Sequence, residues 1–261
     1  MIYKDQLNRE IRLKGTPKRI ISIVPSQTEL LVDLGIEQAL VGITKFCIHP
    51  HQLRKEKSIV GGTKQVHLDK IKALEPDIIL CNKEENTKEM IEALESIAPV
   101  HVSDIDSLED CYDLIYSYGE LFKVTSKALE MISNIQNERE RFQAKITKGL
   151  WPKVAYFIWK KPWMVVGSNT FINTMLKEAG FLNVFEHETR YPEIQLDHSC
   201  LKEASHIFLS SEPYPFKSQH VEELRNHFPN KTIEIVDGEM FSWYGSRLQK
   251  AFQYFESIHS K

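Results

Sequence analysis

Long apolar runs are missing from this chain, and with them the membrane spans they would build. No stretch of its 261 residues approaches the ~20 consecutive apolar residues that cross a bilayer. The start, Met1 to Glu10, has no apolar h-region and no small-residue cleavage site. The expectation is either a chain that stays in the cytoplasm or one from which a leader has been removed. Cysteine is sparse: Cys47, Cys81, Cys111 and Cys200 lie far apart with no C-x-x-C. That spacing argues against a zinc or redox motif and for free thiols, buried or half-buried, which suit a reducing compartment. Excess positive charge is also missing. The net charge is -3, and runs such as Arg54-Lys55-Glu56-Lys57 mix both signs, so nothing points to nucleic acid. There is no G-x-G-x-x-G, no Walker A loop, no G-x-S-x-G elbow and no H-E-x-x-H. No Gly/Ser-rich linker separates parts of the chain.

What is present is a repeat. Val24-Pro-Ser26-Gln-Thr28 and Val166-Gly-Ser168-Asn-Thr170 each follow an apolar run, and each leads into an amphipathic stretch ending at a glycine, Gly35 or Gly180. A second pair keeps the same order: Leu68-Asp69 before Ile78-Ile79-Leu80, and Leu196-Asp197 before Ile207-Phe208-Leu209. Two pairs in one order favour duplication, hence two similar lobes with a cleft between them. A composition of 42% hydrophobic and 26% charged residues allows one large core or two moderate ones.

Periodicity gives the elements. Residues 1–15 read as a short edge hairpin. Strands are expected at 19–24, 40–44, 77–81 and 100–102. Helices are expected at 26–34, where Ser26 and Glu29 make a capping-box pattern, and at 68–74 and 87–97. Residues 46–57 read as loop. Ala128, Ile132, Ile135, Phe142 and Ile146 recur at helical steps, with Arg139 in the remaining position. A helix over 124–148 would be on the order of 35–40 Å long. Strand signals resume at 153–159 and 163–166 as a hairpin, then at 206–209 and 232–236. Helices are expected at 170–179, 221–227 and 249–258. The fold class is α/β: two Rossmann-like lobes with a ligand cleft, bridged by one long rigid helix. The domains are 1–122, a bridging helix at 123–149, and 150–261.

Chemistry-bearing clusters are few. His49-Pro50-His51 is a candidate metal pair, with His67, His101, His187 and His198 as contributors, but the spacing is looser than that of zinc sites, and surface histidines are the plainer reading. Glu84-Glu85 reads as a solvated helix start. Aromatics are the better signal. Phe46, Trp159, Trp163, Trp243 and Tyr244 fall near strand ends or in loops, and flat faces of this kind suit a bulky organic ligand. Arg247 is expected to offer a positive fork to an anionic group on that ligand. Helix N-termini at Ser26 and Ser168 would add backbone N–H donors.

Several segments together resemble a known family. They are Arg19-Ile-Ile-Ser-Ile-Val-Pro-Ser-Gln-Thr-Glu-Leu-Leu, Val60-Gly-Gly, Leu68 to Leu80, Val166-Gly to Gly180, and Tyr191-Pro-Glu-Ile-Gln. In order and spacing, from Arg19 to the C-terminus, the chain resembles the helical-backbone (class III) substrate-binding proteins of ABC importers. That class serves vitamin B12 (cobalamin), siderophores and haem. The likeness is strongest to the B12-binding members.

The resemblance implies a non-enzymatic protein with no resident cofactor and no metal-ion site. It would bind a metal chelate, a corrinoid first and an iron-siderophore or haem complex second, and deliver it to an ABC permease and ATPase complex. Action as a monomer in the periplasm or cell envelope is implied too. Phe46 falls where B12-binding relatives carry a pocket tyrosine. Thr63, Asn82 and Glu193 fall where they carry tryptophans, and Trp159, Trp163 and Trp243 are expected to compensate. The ligand-binding set is therefore Phe46, His49, Thr63, Asn82, Trp159, Trp163, Glu193, Trp243, Tyr244 and Arg247. Permease docking falls to Asp69 in the first lobe. In the second lobe the position counts to Ser199, and Asp197 or Glu203 substitutes, Glu203 being preferred. Two rival readings are a cytoplasmic cofactor-handling protein or enzyme on this fold, and a protein that captures a bare metal ion through its histidines.

Overall fold

A computed structural model describes residues 1–146 and 151–259. They divide into two compact α/β units. Unit 1 is Met1–Ile135 with Tyr244–Arg247, and unit 2 is Gln136–Trp243 with Leu248–Lys261. The division differs from the sequence boundaries in two places. The long helix is shared out at 135/136, and residues 244–247 pack with the first unit rather than the second. Residues 147–149 of the expected bridge lie outside the described residues.

Unit 1 opens with the expected hairpin, β1 (Ile2–Lys4) against β2 (Glu10–Arg12), antiparallel with Tyr3 opposite Ile11. A parallel sheet follows: β3 (Ile20–Ser22), β4 (Leu40–Ile43), β5 (Ser58–Ile59), β6 (Ile78–Asn82) and β7 (Val100–Ser103), in the order β5-β4-β3-β6-β7. β3, β6 and β7 are buried throughout, as sequence runs without alternation require in a sheet covered on both faces. The strand order reverses between β3 and β6. Open α/β sheets bind ligands outside the carboxyl ends of their strands at such a reversal.

The helices of this unit are α1 (Pro25–Asp33), α2 (Leu53–Glu56), α3 (Leu68–Ala73), α4 (Lys88–Glu95) and α5 (Leu108–Phe122). α2 interrupts the segment read as loop; its four residues are too few to carry a periodicity. α5 begins at a complete capping box of Ser107 and Asp110 and stops at Lys123, whose φ of 61° ends the helix. A Cβ on Gly119 would sit 2.6 Å from the Ala128 Cβ, so only glycine allows the chain to pack so closely on the next helix.

That helix, α6, runs Thr125–Gln143 and is about 28 Å long at 1.5 Å per residue. It is shorter than expected: Ala144 and Lys145 already turn away, and 147–148 lie outside the described residues. Its buried stripe includes Ala128, Ile135 and Phe142, while Ile132 is only partly covered. Arg139 keeps its place on the stripe through two 2.7 Å bonds to Glu178.

Unit 2 has a mixed sheet of β8 (Lys153–Trp159), β9 (Trp163–Val165), β10 (Leu182–Asn183), β11 (Glu193–Ile194), β12 (His206–Ser210) and β13 (Thr232–Val236). The order is β11-β9-β8-β12-β13, with β10 beside β8. β8 and β9 form the expected antiparallel hairpin, and β12 is parallel to both β8 and β13. β10 and β11 escaped the sequence reading because two residues make no pattern. The helices are α7 (Phe171–Glu178), α8 (Ser199–Glu203), α9 (Ser218–His227), α10 (Glu239–Ser242) and α11 (Leu248–His259). α11 buries Leu248, Ala251, Phe252, Phe255 and Ile258, the one-sided stripe of an amphipathic helix.

The repeated motif meets its helix differently in each copy. In the first, Val24 is the N-cap and Pro25 supplies the fixed φ of the first turn, so Ser26 lies inside α1 and no side chain caps it. The expected Ser26–Glu29 capping box is absent. In the second, α7 starts only after Thr170, whose hydroxyl accepts the Asn173 N–H at 3.2 Å. Ser168 lies before the helix and donates to the Glu188 carbonyl, so the expected helix N-terminus there is misplaced. The two copies agree at their ends. Gly35 and Gly180 have φ of 81° and 76°. Ile36 N–H closes on Leu31 O at 2.8 Å, and Phe181 N–H on Leu176 O at 2.9 Å.

Candidate functional site

At the carboxyl ends of the unit 1 strands, β4 leads into Thr44, Lys45 and Phe46. Phe46 is 49% exposed, with the Lys45 Nζ 5.0 Å above its ring. His49 and His51 follow, half-buried and exposed, with rings 5.6 Å apart. Thr63 lies half-buried after β5, where its carbonyl accepts from Asn86 Nδ2 at 2.8 Å.

Below this rim the end of the sheet is filled by a buried polar network. The Gln27 amide donates to Ser103 Oγ (2.7 Å), Tyr244 OH (3.0 Å) and Cys81 O (3.2 Å), and accepts from Tyr118 OH (2.7 Å). Burial holds the Tyr244 phenol well above its usual range. Asn82 is 2% exposed; it donates to Ser103 and accepts the N–H groups of Glu84 and Glu85, so its amide organises a turn. Arg247 is 5% exposed, and its guanidinium is clasped by Glu29 through two 2.8 Å bonds. The fork expected to meet an anionic ligand is thus already occupied. The Cys47 thiol lies between Thr28 and Thr44 hydroxyls, and burial raises its pKa above the ordinary range. All four cysteines are free, three of them buried.

Unit 2 presents a different end. Trp159, at the end of β8, is 38% exposed. Tyr214, from the loop after β12, meets it edge to face at 5.4 Å and 70°. Tyr214 is backed by Phe216 at 4.7 Å and His220 at 5.6 Å, and Phe216 stacks on Trp163 at 6.2 Å and 6°. Lys160 Nζ lies 5.0 Å over Trp163 and pairs with Glu223. Of this cluster, Trp159 and Trp163 are among the residues expected from the sequence, and Tyr214, Phe216 and His220 are not. Their run, Glu212-Pro-Tyr-Pro-Phe-Lys217, carried the signal: aromatics alternating with prolines directly after a strand.

Trp243 belongs to the interior. It is 7% exposed, and its indole N–H donates to Glu212 Oε1 at 2.9 Å beside the Ser242 hydroxyl at 2.8 Å. Burial pushes the Glu212 carboxyl up. Glu193 is exposed on β11, away from any aromatic contact among those recorded.

Of the acids expected to dock, Asp69 is exposed in the first turn of α3, and Glu203 is exposed at the end of α8. Lys153, 2.8 Å from Glu203, lowers its pKa. Asp197 and Ser199 are exposed as well. His101 departs from the surface reading. It is 1% exposed, neither ring nitrogen has a hydrogen-bond partner among the described residues, and burial lowers its pKa to about 4. Among the described residues no three His, Cys, Asp or Glu side chains converge as metal ligands. No described helix is long and apolar enough to cross a membrane.

The chain is similar to an uncharacterized ABC transporter substrate-binding lipoprotein of Bacillus subtilis, 26% identical over 73% of this chain and 62% of that one. It is also similar to a vitamin B12-binding protein of Vibrio vulnificus, 25% identical over 77% of this chain and 74% of its relative. Among solved structures, a periplasmic solute-binding protein of Staphylococcus epidermidis, described as a possible iron-binding protein, superposes with a TM-score of 0.80. It is 22% identical, over 95% of this chain and all of the other. A family model described as periplasmic binding protein matches residues 20–227, so the chain belongs to the periplasmic binding protein family.

Proposed function

We propose that this substrate-binding protein takes a corrinoid, held without covalent chemistry, and passes it to the permease of an ABC importer in the cell envelope. The observation that carries this reading is the half-open aromatic surface of Trp159 and Tyr214 at the carboxyl end of the unit 2 sheet. Flat faces gain both area and quadrupole contacts from a conjugated macrocycle. Unit 1 carries an exposed aromatic of its own, Phe46. The B12-binding relatives support the choice of ligand class.

An anionic iron-siderophore or haem complex is the second reading. It is favoured by Lys161, which is exposed near Trp159 in sequence and has no ion pair among the described residues. Asp69 and Glu203 are the proposed acid contacts with the permease, and Glu203 would have to exchange Lys153 for a basic partner there. The protein itself carries out no reaction in this reading; the chelate is cargo.

Tryptophan fluorescence titrated with cyanocobalamin, dicyanocobinamide, haemin and ferric chelates tests it. The expected result is saturable quenching by a corrinoid at roughly micromolar concentration. Quenching by haemin or a ferric chelate alone would transfer the assignment to the second reading. No response to any of them would remove the support for both.

A further inference from the structure

We infer that Trp159 and Tyr214 form a specificity corner that selects a flat conjugated ligand carrying hydrogen-bond acceptors on its rim, and excludes aliphatic chelates of similar size. The inference rests on the substrate-binding reading and goes further by assigning the discrimination to two side chains.

The geometry is that of two ring planes set at 70° with centroids 5.4 Å apart. A flat ligand stacked on one ring therefore offers its rim to the other. Both rings also carry a polar hydrogen. Among the described residues neither the Tyr214 hydroxyl nor the Trp159 indole N–H has a hydrogen-bond partner, and neither residue is buried. Aromatic groups of this kind usually find partners when covered, so a ligand lying over them has to supply acceptors. Carboxamides or carboxylates at the edge of a macrocycle do so, whereas a ligand without a flat face gains neither the stacking nor the alignment.

The corner is built before any ligand arrives. The Phe216 N–H closes a tight turn on Tyr214 O at 2.8 Å, and the Lys217 N–H donates to His220 Nδ1 at 2.8 Å. Phe216 is buried and stacked on Trp163, which Lys160 covers in turn. At the other end of the loop, Ser210 Oγ donates to the Glu212 carbonyl, and Glu212 Oε1 holds both Ser242 and Trp243. Tyr214 thus has rigid support on both sides, which reduces the ordering cost of binding.

The test is calorimetric titration of wild-type protein, Tyr214→Phe and Trp159→Leu with dicyanocobinamide, haemin and the aliphatic hydroxamate chelate ferrioxamine. Wild type is expected to bind dicyanocobinamide or haemin and not ferrioxamine. Tyr214→Phe keeps the ring and its packing and should weaken the bound macrocycle roughly fivefold through the lost hydroxyl. Trp159→Leu should weaken it by at least about tenfold, and the wild-type preference over ferrioxamine should shrink with it. Tight macrocycle binding by wild type with unchanged affinity in both variants would overturn the corner and leave the substrate-binding reading intact. Ferrioxamine binding as tightly as the macrocycles would also overturn it. Binding of none of the three by wild type would bring down the reading beneath it.

Discussion

The carboxyl ends of the two sheets use similar residue types to opposite effect. In unit 1, beneath the exposed rim residue Phe46, Tyr244, Gln27, Asn82 and Arg247 are buried and bonded to one another's neighbours in the protein. In unit 2 Trp159 and Tyr214 stand half-open with free polar hydrogens, on a base of Trp163, Phe216 and His220. Similar strand-loop-helix scaffolds are therefore compatible with a closed end and an open one. The teaching is that residue type near a strand end locates the face where ligands are met, while burial and partners decide which residues can meet them.

The largest expected effect lies in the closed end. Arg247→Met leaves the Glu29 carboxylate buried without its partner and should lower the stability of the protein by ~3–5 kcal/mol in urea unfolding. Arg247→Met combined with Glu29→Leu should recover much of that loss. Equal losses in the single and double variants would mean that the ion pair is not what closes this end.

His101 gives the next effect, about 3 kcal/mol, because its pKa falls from 6.5 to about 4 on burial. The folded protein resists protonating this ring while the unfolded chain takes up the proton. Stability from this group is therefore complete above pH 6.5 and is lost as pH falls through 4. Asp5 opposes the shift and Arg9 adds to it, and the Tyr118 ring packs edge-on at 5.2 Å. His101→Phe should flatten the unfolding profile between pH 6.5 and 4. A profile as steep as that of wild type would assign the acid sensitivity elsewhere.

The smallest effects compare the repeat copies. Gly35→Ala and Gly180→Ala should each cost about 1 kcal/mol, since both residues hold the left-handed conformation. A Cβ at Gly35 would meet only the far end of the long Lys127 side chain, which can swing aside, so the two costs should be close. Thr170→Ala should lose about 1 kcal/mol of capping, and Thr170→Ser almost none. Unequal glycine costs would show that the copies differ at their ends as they do at their starts.

These differences explain what was legible in the sequence. The longer strands, the β8–β9 hairpin, α7 and α11 follow from local period and apolar content and fall within a few residues of expectation, whereas the two-residue strands β5, β10 and β11 carry no pattern to read. The glycine stops at Gly35 and Gly180 are equally local. The capping box at Ser26 failed because Pro25 already satisfies the first turn, which frees Glu29 for a partner far along the chain. Arg247, Tyr244 and Trp243 read as loop residues because nothing in their neighbourhood announces Glu29, Gln27 or Glu212. His101 sits in an apolar strand, and only the tertiary fold places it against Tyr118 without a hydrogen-bond partner. Tyr214 and Phe216 were within reach, since Pro213 and Pro215 restrict the backbone of a short aromatic run just after a strand.

In the proposed function the open end of unit 2 meets the ligand, and the closed end of unit 1 does not do so through Tyr244. Calorimetry of dicyanocobinamide binding to Trp159→Leu and to Tyr244→Phe, side by side, tests this most directly. Trp159→Leu should fold with near wild-type stability and lose at least about tenfold in affinity. Tyr244→Phe should keep the affinity and lose about 1 kcal/mol of stability, because one bond of the buried network goes while Ser103 Oγ and Cys81 O still accept from the Gln27 amide. Lost affinity in Tyr244→Phe together with unchanged affinity in Trp159→Leu would contradict the claim.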